Sequence, residues 1–141
     1  MSPEEARERF AAARVARLAT VGPDGAPHLV PIVFALLGET VYSVVDQKPK
    51  RTTALRRLEN IRSNPQAALL VDHYEERWQH LWWVRADGTA RTLAPDEPEA
   101  HRALAALSER YPQQRPTGPV LAIDVNHWTG WLGGGADSAK G

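Results

Sequence analysis

Five basic residues are concentrated in the segment DQKPKRTTALRR, between Asp46 and Arg57: Lys48, Lys50, Arg51, Arg56 and Arg57. The segment follows a run typical of a β-strand, TVYSVV (40–45), and leads into a stretch with helical periodicity. The first N–H groups of a helix are unpaired and carry partial positive charge, so cations placed there attract phosphate. Neither the P-loop nor the G-x-G-x-x-G pattern occurs, so the predicted anion site is of another kind. The alternative is a solvated basic loop and helix face.

The other residue types that could do chemistry form no recognisable catalytic set. The five histidines show no metal-ligand spacing, so we predict no metal site. His28 stands out because it lies within the predicted strand PHLVP, although a structural role is favoured. Ser43 and Ser63 have no G-x-S-x-G context, and the chain has no cysteine for a disulfide or a nucleophile. We therefore identify no catalytic residue.

Five tryptophans are the second unusual feature: Trp78, Trp82, Trp83, Trp128 and Trp131. Trp82 and Trp83 are adjacent in a predicted strand, so their side chains point to opposite faces. One can enter the core, and the other must face solvent, a ligand or a second subunit. Core or interface packing is the favoured role for any single tryptophan, and covering a planar ligand is the alternative.

Composition limits the class of protein. The 141 residues carry 17 basic and 17 acidic side chains, a balance that argues against a nucleic-acid-binding protein. No apolar run approaches the roughly 18 residues of a membrane span, and the N-terminus has no apolar signal region. We therefore expect a soluble, cytoplasmic protein. We also expect one domain over residues 1–133 and a flexible tail over 134–141, where the sequence is rich in glycine.

Hydrophobic periodicity and turn signals predict mostly short strands joined by turns. The predicted helices cover 3–12, 52–63 and 96–110, and the predicted strands cover 15–21, 26–36, 40–46, 66–73, 80–93 and 119–133. Pro27 and Pro31 indicate an edge strand or an irregularity, and a bend is expected near Asp87 and Gly88. Repeated crossover helices are missing, so the pattern favours a mainly β fold, an antiparallel barrel of about six strands.

The order of these segments resembles a known family. The motifs are ARLATVGPDGAPHLVP (16–31), the loop KPKR (48–51), the helix LxxLxNIxxNP (55–65), ALLVD (68–72) and WVRADGTAR (83–91). Together they are similar to the split β-barrel flavoproteins related to pyridoxamine-phosphate oxidase. Within that superfamily they resemble most the small actinobacterial branch that uses the deazaflavin coenzyme F420.

The resemblance implies a homodimer of split barrels with two cofactor sites at the subunit interface. The loop and helix start after the third strand hold the cofactor phosphate in such proteins, a role that falls on Lys48, Lys50, Arg51 and Thr52. The second and third strands follow the ring, which makes Val30, Pro31, Ile32 and Ser43 its expected neighbours. Trp78 or Trp131 of the partner chain is expected to close the pocket.

The resemblance also implies an activity. Such proteins have no dedicated acid–base residue, and the cofactor carries the hydride between itself and a small organic substrate. The spread of cations over 48–57 favours F420, which has a phosphate and a glutamyl tail, over FMN, which has one phosphate. FMN-dependent oxidase or reductase activity and a non-catalytic cofactor-binding role are the alternatives. The arginine-rich C-terminal segment of true pyridoxamine-phosphate oxidases has no counterpart here, so we do not expect a vitamin B6 oxidase.

Overall fold

A computed structural model describes residues 1–45, 51–113 and 118–134, with only the backbone described for 51–55. The helices are α1 (Pro3–Ala12), α2 (Arg51–Ser63) and α3 (Pro98–Arg110), with a short 3-10 turn at Trp78–His80. The strands are β1 (Ala16–Val21), β2 (Pro27–Ile32), β3 (Ala35–Leu37), β4 (Thr40–Val44), β5 (Gln66–His73), β6 (Trp82–Leu93) and β7 (Val120–Leu132). The predicted tail lies outside the described residues, apart from Gly134.

The strands form one antiparallel sheet in the order β2-β1-β5-β6-β7-β4-β3. Consecutive strands β2 and β3 lie at the two ends of this order, so the sheet curls until its ends approach. The result is a mainly β half-barrel with three helices, as expected for a split barrel. The strand count is seven rather than about six, because the predicted strand 26–36 is two strands.

The break between β2 and β3 occurs at Val33 and Phe34. Phe34 is fully buried, and its ring lies 4.7 Å from the ring of Phe10 on α1. The hydroxyl of Ser43 on β4 donates a hydrogen bond of 2.8 Å to the backbone oxygen of Val33. The Phe34 side chain packs against α1, and the Val33 carbonyl is directed toward β4. These two contacts interrupt the regular alternation of a strand.

Local sequence signals set several other element ends. Ser2 accepts a hydrogen bond of 3.1 Å from the backbone N–H of Glu5 and caps α1, whose bounds match the predicted 3–12. Gly25 closes the β1–β2 turn with φ of 83°, a left-handed conformation that glycine adopts without strain. The β6–β7 register shifts at Asp87 and Gly88, which confirms the expected bend.

The core lies on the concave side of the sheet, under α1 and α2. It combines alternate residues of the strands with Phe10, Phe34, Ile61 and Trp128. Phe10 also meets Trp128 edge-on at 5.3 Å, so α1 closes one side of the barrel. Among the residues that the structure describes, no helix is long and apolar enough to cross a membrane.

Candidate functional site

The structure describes the predicted phosphate-binding loop only from Arg51 onward. Lys48 and Lys50 lie outside the described residues, so their predicted role stays a prediction. Helix α2 begins at Arg51, which places Arg51 and Thr52 in its first turn, where backbone N–H groups are free of intrahelical partners. Thr52 is therefore inside the helix rather than its cap. The basic segment does run into a helix start, and the predicted roles of both residues await a test.

Two further arginines of the basic segment lie against β2. Burial and the charges of Arg56 and Arg57 together lower the pKa of the His28 imidazole, with burial as the largest cause. Burial alone lowers the pKa of Arg57, which nevertheless remains a cation at neutral pH. The Nε atom of Arg57 and the Nδ1 atom of His28 are buried, and neither has a hydrogen-bond partner among the residues that the structure describes. A cationic group with unused donors therefore lies where α2 meets β2.

Strand β2 presents an open backbone edge. The N–H of Gly22 bonds to the oxygen of Ala26 at 2.9 Å, so by alternation Pro27, Leu29 and Pro31 occupy the positions not bonded to β1. Their backbone groups point to the free edge of the sheet. Since proline has no N–H, Leu29 supplies the N–H donor of this edge within the described strand, beside carbonyl oxygens. The prediction of an edge strand from Pro27 and Pro31 is confirmed.

The four residues expected along a cofactor ring have different surroundings. Val30 is half-buried and Ile32 is in the core, so their side chains point inward, while Pro31 is exposed on the outer face. Ser43 is 2 % exposed, and its hydroxyl is already engaged with Val33. Ser43 therefore contacts the residue that follows Ile32, at the break between β2 and β3. Backbone groups, rather than these side chains, are what β2 offers to a ligand.

The outer face of the sheet, opposite the core, has a depression around two small residues, Ala19 and Ala68. One hollow of about 600 Å³ surrounds them, and its apolar and aromatic walls are Leu29, Leu70, Tyr74 and Trp83. A second hollow of about 520 Å³ also touches Ala19 and Ala68 and continues toward the β6 bulge. Leu29 is 68 % exposed and Tyr74 is 69 % exposed. Exposed apolar side chains around a hollow mark a face that binds a ligand or another protein.

The adjacent tryptophans Trp82 and Trp83 lie on opposite faces of the sheet, as predicted from their positions in the strand. Trp82 packs against the core, whereas Trp83 lines the outer hollow and pairs with Trp131 on β7. Trp78 is 76 % exposed in the short turn before β6. Trp131 and β2 are four strands apart, about 19 Å at the usual strand spacing. Along the sheet of one chain Trp131 is therefore distant from β2, and the closing of the pocket by Trp78 or Trp131 of a partner chain stays a prediction.

The remaining histidines and carboxylates show no catalytic arrangement. His73 and His80 are exposed, as expected, and both contact Glu75, at 2.7 Å and 2.8 Å. Hydrogen bonds from these two rings lower the pKa of Glu75. Over residues 1–45, 51–113 and 118–134, no group of three or more potential ligand side chains is arranged to hold a metal ion.

The comparison with known families agrees with this architecture. The family model described as pyridoxamine 5'-phosphate oxidase matches residues 2–132, and the chain belongs to this flavin-binding fold family. None of the curated proteins compared with this chain matches it in sequence.

Solved structures share the fold across nearly the whole chain. A conserved hypothetical protein from Mycobacterium tuberculosis is 24% identical, with a TM-score of 0.74, and the match covers 94% of this chain and 85% of that one. An FAD-binding protein from Mesorhizobium loti is 25% identical over 92% of both chains, with a TM-score of 0.71. The heme storage protein HutZ from Vibrio cholerae is 17% identical, with a TM-score of 0.66, over 94% and 95% of the two chains.

Sequence reasoning missed the meeting of α2 with β2. His28 was singled out for its place in a strand, and Arg56 and Arg57 for their place after the KPKR loop, without a link between them. A partial signal existed, because Arg57 adjoins Leu58 and so lies near the apolar stripe of α2. Which strand the helix covers depends on long-range packing, and periodicity carries no information about it.

Proposed function

We propose that this protein is a homodimeric oxidoreductase that uses coenzyme F420 to transfer a hydride to or from a small organic substrate. The observation that carries the proposal is the open edge of β2 beside the apolar outer hollow, in a chain of a flavin-binding fold family. When bound, the deazaflavin ring supplies the hydride chemistry. The protein binds and orients the ring and keeps water from it.

The residues present suit a flat, hydrogen-bonding ring system. The N–H of Leu29 and the carbonyl oxygens along the β2 edge can pair with the polar rim of such a ring. The side chains of Leu29, Leu70 and Trp83 offer apolar surface to its faces. The polar atoms come from backbone, which matches a site whose chemistry lies in the cofactor rather than in a side chain.

The charge pattern favours F420 over FMN. FMN has one phosphate, whereas F420 adds the carboxylates of its glutamyl tail. Positive side chains extend from Lys48 through Arg51 to Arg57, well beyond the reach of one phosphate group. Arg56 and Arg57 form no ion pair within the described part of the chain, so their charges are available to an anion. A longer polyanion makes use of more of these charges.

A titration of the purified full-length protein with oxidised F420, followed by tryptophan fluorescence, tests the proposal. We expect saturable binding, and we expect Lys50→Ala or Arg51→Ala to weaken it by about 1–3 kcal/mol for each lost charged contact. Arg62→Ala is the matched control, since Arg62 is an exposed cation in the last turn of the same helix. Absence of binding up to high micromolar F420 would contradict the proposed cofactor.

Turnover separates an enzyme from a binding protein. Reduced F420 is mixed with the protein and a panel of conjugated organic substrates, and loss of the reduced cofactor is followed spectroscopically. We expect oxidation that depends on both protein and substrate. Tight binding with no oxidation across the panel would favour the non-catalytic role.

An FMN-dependent oxidase or reductase is the second candidate. The FAD-binding protein from Mesorhizobium loti supports it, because the match extends over nearly the full length of both chains. The absorption spectrum of the freshly purified protein distinguishes the two cofactors, since a retained flavin gives a yellow protein. A flavin spectrum together with no response to F420 would replace the first proposal with this one.

A further inference from the structure

A separate cavity of about 310 Å³ lies between the β1–β2 turn and the middle of α2. Gly22, Asp24 and the turn around them form one wall, and the other walls are formed by His28, Arg56, Glu59 and Asn60. Asn60 is 3 % exposed, and its amide donates a hydrogen bond of 3.2 Å to Thr20 on β1. The cavity is thus fixed between a helix and a hairpin rather than formed by one mobile surface segment.

Two buried polar atoms have no hydrogen-bond partner within the described part of the chain: the Nδ1 of His28, which lines the cavity, and the Nε of Arg57, the neighbour of the lining residue Arg56. Such unpaired atoms are few in folded proteins, and each one needs an explanation such as a ligand. No carboxylate of the described residues pairs with the guanidinium of Arg56 or Arg57. Two adjacent arginines that have no ion-pair partner among residues 1–45, 51–113 and 118–134 favour binding of an external anion.

The two carboxylates at the cavity wall, Asp24 and Glu59, form no ion pair with Arg56 or Arg57. Asp24 accepts a hydrogen bond of 3.0 Å from the N–H of Ala26, so its carboxylate is part of the turn. Glu59 is exposed to solvent, where its charge is screened. The pKa of His28 is lowered by burial and by both arginines, and neither carboxylate counteracts them. The two arginines are therefore the neighbouring charges that act on the imidazole.

We propose that this cavity is a second oxyanion site, in which His28 and Arg56 contact a carboxylate or phosphate group and Arg57 adds the adjoining charge. A guanidinium binds such groups through two parallel N–H bonds. Arg56 lies five residues after Arg51, or about 7.5 Å along the helix axis, so this site is separate from the helix start. The site uses none of residues 48–52 and can be tested without a redox cofactor; where its occupant is the glutamyl tail of F420, it rests on the proposed function.

Titration of the full-length protein with inorganic phosphate, followed by NMR of the His28 ring, tests this site without the cofactor. We expect the His28 signals to shift with saturation, and the double variant Arg56→Gln, Arg57→Gln to weaken phosphate binding at least about ten-fold. Arg62→Gln is the matched control on the same helix, and it should bind as the wild type does. Lys50→Ala should also leave the His28 response unchanged, which separates this cavity from the predicted loop site.

Two results would overturn the proposal: His28 signals that ignore tens of millimolar phosphate, or an equal response in the double variant. Arg56→Lys keeps the positive charge but removes the two parallel N–H donors, and it covers the case in which the glutamine variant fails to fold. We expect this variant to fold, because Arg56 is exposed, and to bind phosphate more weakly than the wild type. A folded Arg56→Lys protein with unchanged phosphate affinity would contradict a role for the guanidinium.

A second pair of titrations distinguishes the two sources of the oxyanion, the glutamyl tail of F420 and a free anion. F420 with its glutamyl tail is compared with the same deazaflavin lacking the tail. If the anion is the tail, the double variant loses affinity for the tailed form alone. If it is a free anion, both forms bind the double variant as they bind the wild type, while phosphate binding is lost. Phosphate binding at His28 without any F420 binding would uphold this site and reject the proposed cofactor.

Discussion

Arg91 connects β6 to α3 and β7 through charge-assisted hydrogen bonds. Its guanidinium donates to both oxygens of Glu99, at 2.8 Å and 2.7 Å, and to both oxygens of Asp124, at 2.8 Å and 3.1 Å. The hydroxyl of Tyr42 donates to the same Glu99 carboxylate at 2.6 Å. Such fork geometry fixes the position of the helix as well as adding energy. We therefore expect the Arg91 hydrogen bonds to contribute to the stability of the fold rather than to cofactor binding.

The Glu99 contacts predict a stability loss in acid. Hydrogen bonds from Arg91 and then Tyr42 lower the pKa of Glu99 from 4.5 to about 2. A lowered pKa in the folded state means that the stabilisation is complete above about pH 4.5 and disappears as the pH falls toward 2. Because the carboxylate is partly exposed, we expect Glu99→Gln to cost about 1–2 kcal/mol at neutral pH. Urea unfolding at several pH values measures this.

Glu109→Gln is the matched control, since Glu109 is an exposed carboxylate on the same helix. We expect its unfolding free energy to follow the wild type at every pH. The Glu99→Gln variant should be less stable at neutral pH and should lose less of its stability between about pH 4.5 and 2 than the wild type. A Glu99→Gln curve parallel to that of the wild type would mean that the network contributes nothing to the acid dependence.

At the scale of elements, the β6 bulge depends on Gly88. A Cβ atom at this position would lie 2.3 Å from the backbone oxygen of Asp124 on β7 and 3.0 Å from the Cγ2 of Ile123. Since the nearest atom is backbone, Gly88→Ala must shift β7 or undo the bulge. We expect a loss of about 1–3 kcal/mol, measured by the urea midpoint. Thr89→Ala, at the exposed neighbouring position, should change the midpoint little, and equal midpoints for both variants would contradict a tight bulge.

The elements show which features follow from sequence. Local signals were sufficient for α1, where Ser2 and Pro3 mark the start, and for β5, where the predicted 66–73 matches Gln66–His73. Helix α3 begins at Pro98 rather than at 96, since proline at the first helical position outweighs the acidic residues before it. The break at Val33 and Phe34 was not predictable, because its causes, Phe10 and Ser43, are distant in sequence.

The candidate site also has features that the sequence predicted and features that it did not. The edge position of β2 followed from Pro27 and Pro31, because proline is excluded from central strand positions by its missing N–H. The place of Ser43 could not be read from sequence, since only the folded chain shows that its hydroxyl holds Val33. Because Trp82 and Trp83 are adjacent in a strand, the sequence predicted that their side chains lie on opposite faces of the sheet. It did not show that Trp131 would pair with Trp83, which requires the β6–β7 register.

At the scale of the whole molecule, the outer face predicts self-association. Leu29 and Leu70 are exposed on the same side of the sheet, around the hollow at Ala19 and Ala68. A stable interface buries about 800 Å² per partner, roughly a tenth of the 8401 Å² surface of this chain. A second copy would cover the apolar side chains and bring its own tryptophans to the open edge of β2. Pairing around a two-fold axis would create two equivalent sites.

Light scattering after gel filtration tests this pairing. We expect the wild type at micromolar concentration to have twice the 15.6 kDa mass of one chain. Leu29→Glu and Leu70→Glu place a charge within an apolar interface, which costs several kcal/mol when the charge has no partner, so both variants should become monomers. Leu37→Glu is the control: Leu37 on β3 is similarly exposed, at 40 %, but does not line the hollow around Ala19 and Ala68. If the cofactor site lies between subunits, F420 affinity should fall in the first two variants and persist in the third. A monomeric wild type that still binds F420 tightly would place the whole site within one chain.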